Sequence, residues 1–359
     1  MKIDFYISSL SGGGAEKVLT TLAKAMACDD NEVSIISLEK RPQFYPVDEK
    51  VQLFQYKNKK SGIRAVWEDV RNIRRHIKKS KADISISFLS RCNLLVLMSA
   101  MFKKGKVVVC DRNNPLREHG KMVFLLSNLL YLRADRVMVQ TEQIKGFYKK
   151  FLRKKIRVIE NPLDKEVLDS QIKEVIPKRE KTILSMGRLE PQKDFKTLIQ
   201  GFHKISGKYP DWQVKIFGVG DKREELEEFI GSFGLDNKVH LCGRTEVPFY
   251  EMSKASIFVL SSHYEGFPNV LCEAMYAGNL CIASDCVSGP RELIEQNVNG
   301  WLFPVGNVDN LAQLMENCIE HESRLDNVRH TAQETVKRLY LENNIVLWKN
   351  MINEVVMEE

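Results

Sequence analysis

The chain has 359 residues, 43% hydrophobic and 28% charged, which is about twice the length of one ordinary domain and predicts two soluble domains. No run approaches the roughly 18 apolar residues of a transmembrane helix, and the opening MKIDFYISSL is too short and too polar for a signal peptide. Residues 1–160 carry 32 Lys and Arg against 16 Asp and Glu (net +16), whereas residues 161–359 carry 22 against 31 (net −9). The basic half is expected to meet an anionic partner such as a membrane surface, a phosphorylated lipid or a nucleic acid.

The first half alternates strands and helices as a doubly wound α/β unit does. Residues 2–10 predict a buried strand, the loop Ser11-Gly12-Gly13-Gly14 follows, and residues 15–27 have apolar side chains at helical spacing. Further strands are predicted at residues 32–38, 84–88, 107–110, 136–140 and 156–159. The most apolar stretch, residues 122–132, contains Ser127 and Asn128 and predicts a buried helix.

The same alternation restarts in the second half. Strands are predicted at 181–186, 212–217, 239–242, 257–261 and 280–283, with helices at 195–209 and 224–233 and a largely helical end from 308. We therefore expect a domain at residues 1–165, a linker at 166–180, a second domain at 181–335, and a final helix at 336–359 that packs back on the first domain. Open parallel sheets bind ligands at the carboxyl ends of their strands.

Eight cysteines are scattered at positions 28, 92, 110, 242, 272, 281, 286 and 318, with no CxxC pair and no histidines at metal-ligand spacing. This pattern predicts a reduced, cytoplasmic protein in which cysteine serves as a small apolar side chain, and it predicts no metal site.

The string Ser261-Ser-His-Tyr-Glu265-Gly-Phe-Pro-Asn-Val-Leu-Cys-Glu273 follows an apolar strand and opens a helix. Gly266 permits unusual backbone angles, and Pro268 suits a first helical turn. Backbone N–H groups at a helix start bind phosphates or hydroxyls, and Glu273, within an apolar helix, needs a donor such as a ribose diol. Alone, the two glutamates are equally compatible with an acidic helix start and an exposed helical side chain.

The spacing of Glu265 and Glu273 resembles the Glu-x7-Glu signature of retaining glycosyltransferases of family 4. The segment Gly187-Arg188-Leu-Glu-Pro-Gln-Lys193 is similar to the family's Gly-Arg-Leu…Lys motif, Gly218-Val-Gly220 to its glycine pair, and Gly12-Gly-Gly-Ala-Glu16 to its N-terminal loop. The resemblance extends from about residue 3 to 305 in the same order.

The resemblance implies the GT-B fold, an α/β architecture in which two doubly wound Rossmann-like domains face each other across a cleft. The N-terminal domain would bind the acceptor and the C-terminal domain a nucleotide sugar, most commonly linked to UDP, which is a substrate and leaves the enzyme without a cofactor. Arg188 and Lys193 would clamp the leaving diphosphate without a metal, Glu265 would hold the donor sugar, and Glu273 the ribose. The donor-binding set is then Gly13, Gly14, Gly187, Gly218, Gly220, Arg244, Gly266, Phe267, Pro268, Asn269, Val270 and Glu273.

The acceptor side departs from many relatives. Where they have a Glu-His-Ser-like segment after the fourth predicted strand, this chain has Asp111-Arg-Asn-Asn-Pro115, similar to a Glu-Arg-Asn-Asp-Pro-like variant. Asp111, Arg112 and Asn113, with the nearby His119, are the predicted acceptor-side residues.

Residues 61–81 combine an apolar stripe (Ile63, Val66, Trp67, Val70, Ile73 and Ile77) with the cations Arg71, Arg74, Arg75, Lys78, Lys79 and Lys81. Packing on the core explains the stripe most economically, while the cations are either merely solvated or face anionic lipid. Relatives of this kind often extend polyprenyl-diphosphate-linked saccharides, so we expect a peripheral enzyme on the inner face of the cell membrane.

Two other kinds of function remain open, and a third lacks its motif. A GT-B epimerase or a phosphorylase-like enzyme would share the fold. A nucleic-acid-binding protein would use the basic half, although interleaved aromatic residues and reader motifs are missing. A nicotinamide-dependent dehydrogenase would need a GxGxxG fingerprint, which the sequence lacks.

Overall fold

A computed structural model describes residues 1–57, 62–101, 105–112, 124–125, 127–172 and 178–358. The chain divides into an N-terminal unit, formed by Met1–Pro162 with Leu341–Glu359, and a C-terminal unit, formed by Leu163–Tyr340. Each unit has one fully parallel sheet with helices on its faces, which confirms the prediction of two Rossmann-like α/β folds. None of the helices formed by the described residues has the length and apolar character that a membrane crossing requires.

The N-terminal unit is built on a seven-stranded sheet of order β3-β2-β1-β4-β5-β6-β7. Its strands are β1 Lys2–Ile7, β2 Glu32–Ser37, β3 Val51–Gln55, β4 Ile84–Phe88, β5 Lys106–Cys110, β6 Arg136–Val139 and β7 Ile156–Val158. Among the described residues before 162, its helices include α1 Gly14–Ala27, α2 Gly62–Ser80, α3 Ser90–Ser99, α4 Glu142–Phe147 and α5 Lys150–Arg153, with a 3-10 turn at Tyr131–Arg133. One apolar cluster joins α1 to the sheet, and a second joins α2, α3, α4 and α5 to it.

The C-terminal unit is built on a six-stranded sheet of order β10-β9-β8-β11-β12-β13. Its strands are β8 Glu180–Met186, β9 Gln213–Phe217, β10 Val239–Gly243, β11 Ala255–Leu260, β12 Leu280–Ser284 and β13 Trp301–Phe303. Its helices are α6 Lys165–Asp169, α7 Phe195–Ser206, α8 Arg223–Ser232, α9 Pro248–Lys254, α10 Asn269–Tyr276, α11 Pro290–Leu293, α12 Val308–Glu320 and α13 Asp326–Val336. Short 3-10 turns lie at Pro191–Lys193, Glu322–Arg324 and Lys337–Leu339.

The last helix, α14 Leu341–Met357, belongs to the N-terminal unit. Trp348 is fully buried and stacks on Phe88 with ring centroids 6.3 Å apart. The segment predicted as a linker begins instead inside the C-terminal unit, where Leu168 of α6 is buried in the apolar core. The chain therefore passes between the units at Pro162–Leu163 and at Tyr340–Leu341.

Two strands are missing from the sequence prediction. β3 lies at an edge of the N-terminal sheet, and its Val51 is buried while Gln52 and Phe54 are exposed. β13 lies at an edge of the C-terminal sheet and has only three residues. Edge strands bury one face or are very short, so their apolar pattern is weak.

Two apolar stretches differ from their predicted burial. In α2, Val70 and Ile73 are buried, but Ile63 is 77% and Trp67 66% exposed, so core packing accounts for only part of the stripe. Within the predicted buried helix at residues 122–132, Phe124 and Tyr131 are buried, whereas Leu125, Leu129 and Leu132 face solvent. The described part of that segment therefore has a buried and an exposed apolar side.

The carboxyl ends of β8 and β9 pack backbone against backbone. A Cβ on Gly218 would lie 1.7 Å from the carbonyl oxygen of Gly187, and a Cβ on Gly220 would lie 2.4 Å from that of Leu189. Only glycine permits this approach, because every other residue carries the clashing carbon. The glycine pair therefore brings the loop after β8 against the loop after β9.

We predict that Gly218→Ala lowers the free energy of unfolding by about 2 kcal/mol or more, because the backbone of Gly187 has to move. Urea unfolding measures the change. Gly207→Ala is the matched control: its φ is −71° and an added Cβ has open space, so stability should change by less than about 1 kcal/mol. Equal losses in the two variants would contradict the packing argument.

Candidate active site

The candidate site lies at the carboxyl edge of the C-terminal sheet, where two loops meet. The first loop runs from Gly187, after β8, to Asp194, which caps α7 with its side chain. The second runs from Ser261, after β11, to Pro268, which precedes α10. Parallel strands expose their following loops at this edge, so the sheet itself brings the predicted catalytic residues of both loops together.

Hydrogen bonds join the two loops along their length. The backbone N–H of His263 donates to the carbonyl of Gln192 at 2.8 Å, and the Gln192 side-chain amide donates to the carbonyl of Tyr264 at 2.9 Å. The hydroxyl of Ser261 donates to the carbonyl of Lys193 at 2.8 Å. These bonds fix the backbone of the lysine relative to that of Glu265.

Lys193 and Glu265 form a shielded ion pair. The Nζ of Lys193 lies 2.7 Å from Oε1 of Glu265, and the two side chains are 15% and 8% exposed. The hydroxyl of Ser262 donates to the same Oε1 at 2.6 Å. Within the part of the chain that the structure describes, both donors bind Oε1, which leaves Oε2 to accept from a ligand.

Arg188 stands in a different environment on the same loop. Its side chain is 64% exposed, and its Nη1 lies 3.0 Å from Glu190 Oε1. An exposed pair of this kind is worth little, so the guanidinium is free to exchange its partner for a ligand anion. The loop therefore carries one shielded cation, Lys193, and one exposed cation, Arg188.

The last residue of β12 and the segment that follows this strand hold the second loop through hydrogen bonds. The hydroxyl of Ser288 donates to the carbonyl of Gly266 at 2.8 Å, and that of Ser284 donates to the carbonyl of Ser262 at 2.5 Å. Gly289 packs against the ring of Pro268, where a Cβ would lie 2.4 Å from Cδ. Gly266, Phe267 and Pro268 are consequently buried and held in place.

Other members of the predicted donor-binding set lie on elements of the same unit. Asn269 and Val270 begin α10, and Glu273 lies one turn further along it, half-buried. Gly187 leaves room for the Lys193 side chain, since an added Cβ would lie 2.9 Å from Cε of that lysine. Arg244, after β10, is exposed. The donor contacts of every residue in this set remain predictions.

The predicted glycine loop belongs to the N-terminal unit. Gly13 caps α1, Gly14 is its first residue, and a Cβ on Gly13 would meet only open space. The carboxylate of Glu16 accepts hydrogen bonds from the Gly12 N–H and, at 3.4 Å, from the Ser9 hydroxyl. Burial raises the pKa of Glu16, and these hydrogen bonds lower it by a smaller amount. Glu16 therefore fixes the backbone of the glycine loop through Gly12 and Ser9, and no side chain covers the backbone at Gly13.

Asp111 is 2% exposed at the end of β5. Its carboxylate accepts hydrogen bonds from Ser90 Oγ, Asn93 Nδ2, Tyr131 OH and Tyr148 OH. These donors come from different segments, so the buried carboxylate of Asp111 joins those segments to the end of β5. Its predicted contact with an acceptor stays a prediction.

Arg112 lies over the rings of Phe88 and Trp348, 4.4 and 5.5 Å from their centroids, and donates to Asn161 Oδ1. Burial lowers its pKa. Its guanidinium thus ties the end of β5 to α14. The other two predicted acceptor-side residues, Asn113 and His119, lie outside the described residues.

Sequence reasoning missed Ser262, Ser261 and Gln192. Each acts on a carboxylate or a backbone carbonyl that becomes its neighbour only when the two loops fold together. Serine and glutamine are common in loops, and neither carries a spacing signal that would reveal such a contact.

We predict that replacing Glu16 by Gln reveals a pH-dependent contribution to stability. Because the folded pKa of Glu16 is raised, its contribution is complete below about pH 4.5 and is lost as pH rises through the folded pKa. The free energy of unfolding of the natural chain, relative to Glu16→Gln, should therefore fall as the pH rises above about 4.5 and through the raised pKa of Glu16. Urea unfolding across this range tests it, with the exposed Glu32→Gln as the control for charge removal. A difference that does not vary with pH contradicts the prediction.

Two family models match the chain. The model described as Glycosyltransferase Family 4 matches residues 12–167, and the model described as Glycosyl transferases group 1 matches residues 168–335. Over 99% of both chains, the sequence is 28% identical to the Campylobacter jejuni GalNAc-alpha-(1->4)-GalNAc-alpha-(1->3)-diNAcBac-PP-undecaprenol alpha-1,4-N-acetyl-D-galactosaminyltransferase.

Solved structures share the fold at lower sequence identity. Sucrose-phosphate synthase from Thermosynechococcus elongatus superposes over 100% of both chains with a TM-score of 0.86 at 15% identity. Anabaena Alr3699/HepE in complex with UDP-glucose superposes over 100% of both chains with a TM-score of 0.80 at 20% identity. Matched by adjoining family models from residue 12 to residue 335, the chain belongs to glycosyltransferase family 4 and has the GT-B fold.

Proposed function

We propose that the chain transfers a hexose or an N-acetylhexosamine, with retention of configuration, from a UDP-sugar to a saccharide carried on a polyprenyl diphosphate. The observation that carries the donor side is the shielded Lys193–Glu265 pair on the loop that also bears the exposed Arg188. It offers a shielded positive charge, an exposed positive charge and a carboxylate oxygen at one edge of a parallel sheet. These are the groups that a nucleotide sugar requires.

Breaking the bond between sugar and diphosphate builds negative charge on the leaving phosphates. In the proposed complex, the exposed Arg188 exchanges Glu190 for the diphosphate. The shielded Lys193 binds the same diphosphate while it keeps its place beside Glu265. Lys193 is held in place and partly desolvated, so it stabilises the developing charge with little reorganisation, and Arg188 adds its charge once it has exchanged Glu190 for the diphosphate. Arg188 and Lys193 then supply the charge that a metal supplies in other transferases.

The sugar is proposed to bind at Glu265. Its Oε1 is engaged by Lys193 and Ser262, so Oε2 accepts a hydroxyl of the sugar ring, and Glu273 accepts the ribose diol. A retained configuration places the acceptor on the same face as the leaving phosphate. The departing phosphate oxygen can then take the acceptor's proton, and the enzyme needs no base of its own.

On the acceptor side, α2 supports a lipid-linked substrate. Ile63 and Trp67 are 77% and 66% exposed near the start of the helix, and Arg71, Arg74, Arg75, Lys78 and Lys79 are exposed along the rest of it. Exposed Trp and Ile beside cations suit an anionic membrane surface. The Campylobacter relative, by its name, acts on a saccharide linked to PP-undecaprenol. A peripheral position on the inner face of the membrane follows from this proposal.

A donor screen tests the proposal. Purified enzyme is incubated with labelled UDP-hexoses and UDP-N-acetylhexosamines, each with short-chain polyprenyl-diphosphate saccharides, in the presence and absence of EDTA. We expect transfer from one donor, unchanged by EDTA, with an alpha linkage. Lys193→Ala and Glu265→Gln should each lower kcat/KM by about 100-fold or more.

Lys204→Ala is the matched control, because this lysine is exposed on α7 and pairs with Asp309. It should retain the activity of the natural chain. Absence of both transfer and donor hydrolysis with every UDP-sugar, or full activity in Lys193→Ala, would sink the proposal.

Ser262 provides a finer test of the carboxylate's placement. Ser262→Ala removes one of the two donors on Glu265 Oε1 and should lower kcat/KM about 10-fold, the effect of one hydrogen bond to a charged group. In a Glu265→Gln background the same change should cost little, because the two residues act as one unit. Kinetic constants of the two single variants and the double variant measure this coupling. Ser232→Ala, on the exposed side of α8, is the control, and independent losses would show that Ser262 acts elsewhere.

A further inference from the structure

An open cavity of about 420 Å³ lies in the C-terminal unit, at the amino edge of its sheet. One of its lining residues, Arg179, comes immediately before β8, so the cavity lies at the opposite edge of the sheet from the candidate active site. The described lining includes two arginines, three carboxylates and a hydroxyl: Arg179, Arg329, Glu320, Glu322, Asp326 and Ser323. The donor-binding set contains none of these residues, and the proposed function gives the cavity no role.

Backbone carbonyls hold the two arginines side by side. Arg179 donates to the carbonyls of Ala255 and Ala277, both at 2.7 Å. Arg329 donates to the carbonyl of the next residue in each of these two segments, at 3.0 and 2.9 Å. Each guanidinium therefore joins the start of β11 to the turn between α10 and β12. Two like charges lie next to each other at the wall of the cavity.

The carboxylates in the lining serve Arg329 rather than Arg179. Glu322 pairs with Arg329 at 3.0 Å, and Asp326 lies 3.8 Å from it. The carboxylate of Glu320 binds a lysine at 2.7 Å. Within the part of the chain that the structure describes, Arg179 forms no ion pair, and its hydrogen bonds go to the two carbonyls. A guanidinium has five N–H groups, so three of those of Arg179 remain for a ligand.

The pKa of Arg179 agrees with this lack of a counter-charge. Burial and, to a smaller extent, the charge of Arg329 lower it to about 10. The side chain is still a cation at neutral pH, and a half-buried cation is stabilised by an anion that binds against it. The cavity therefore favours a ligand with a negative group at Arg179.

The rest of the lining selects the kind of anion. The carboxylates of Glu322 and Asp326 repel a bare anion, but they accept hydrogen bonds from hydroxyl groups. A phosphate binds a guanidinium through charge-assisted hydrogen bonds. A small molecule with a phosphate at one end and several hydroxyls at the other suits both parts of the lining, and the volume of the cavity is in the range of small-molecule sites.

We propose that this cavity binds a sugar phosphate, with the phosphate on Arg179 and the sugar hydroxyls on the carboxylates of Glu320, Glu322 and Asp326. The eight residues of α10, about 12 Å of helix, separate it from the donor loops. The two sites are therefore distinct, and a ligand in one leaves room for a ligand in the other. This binding goes beyond the proposed function and does not depend on it.

Isothermal titration calorimetry of the full-length chain tests the proposal. The ligands are glucose 1-phosphate, glucose 6-phosphate and N-acetylglucosamine 1-phosphate, with glucose and inorganic phosphate as references. We expect at least one sugar phosphate to bind about 10-fold more tightly than either reference, because only the sugar phosphates carry both groups. A Kd above about 10 mM for all three, or equal affinity for inorganic phosphate, overturns the proposal.

Two variants locate the binding. Arg179→Gln should weaken the binding of the best sugar phosphate about 10-fold or more, because a charge-assisted contact is lost. Ser323→Trp leaves the bonds of Arg179 in place and fills the cavity from an exposed position, so it should abolish binding. Thermal unfolding verifies that both variants are folded.

Arg223→Gln is the matched control, because this exposed arginine also donates to a backbone carbonyl, that of Leu241, and lies outside the cavity lining. It should bind the sugar phosphate like the natural chain. The proposal fails if the folded Ser323→Trp variant binds like the natural chain, or if the control loses as much affinity as Arg179→Gln.

Lys193→Ala separates the cavity from the candidate active site, which would also attract a phosphate. This variant should bind the sugar phosphate with natural affinity. Loss of binding in Lys193→Ala, together with natural binding in Arg179→Gln, would assign the phosphate to the donor loops and overturn the proposal. Absence of sugar transfer in the natural chain refutes the proposed function instead, whatever the calorimetry shows.

Discussion

The buried ion pair between Lys193 and Glu265 is the interaction on which the donor side depends. A lysine and a glutamate with so little exposure are costly unless they are paired and hydrogen-bonded. The surrounding structure meets that condition with Ser262 on the carboxylate and Ser261 and Gln192 on the two backbones. These bonds join the loop after β8 to the loop after β11, so the charges of Lys193 and Glu265 stand in place before a substrate arrives.

The two sheets and the site motifs could be predicted from the sequence because strong signals specify them. Apolar strands that are buried on both faces read as continuous runs, and the glycines at 187, 218 and 220 mark backbones that approach each other closely. Edge strands β3 and β13 lacked such a signal. The site motifs were recognisable because each is a short continuous segment of the sequence, which contains Arg188 and Lys193 in one case and Glu265 in the other.

What the sequence did not predict depends on distant neighbours. Nothing local distinguishes Ser262, which binds Glu265, from Ser232, which lies on an exposed helix. Helical periodicity identified Trp67 and Leu129 as apolar but could not say whether a partner covers them, since coverage is decided by elements far along the chain. For Asp111, the family motif predicted a contact with the acceptor, but it did not predict the buried hydrogen bonds that this carboxylate accepts from Asn93 and Tyr131.

The placement of α14 has a consequence for how the protein is made. Trp348, Met351, Ile352 and Val355 fill the core of the N-terminal unit, next to strands that are synthesised first. During translation, that unit cannot close its core until the final helix has left the ribosome, whereas every part of the C-terminal unit is already available. The strands that are made first thus wait for residues 341–357 before their core is complete.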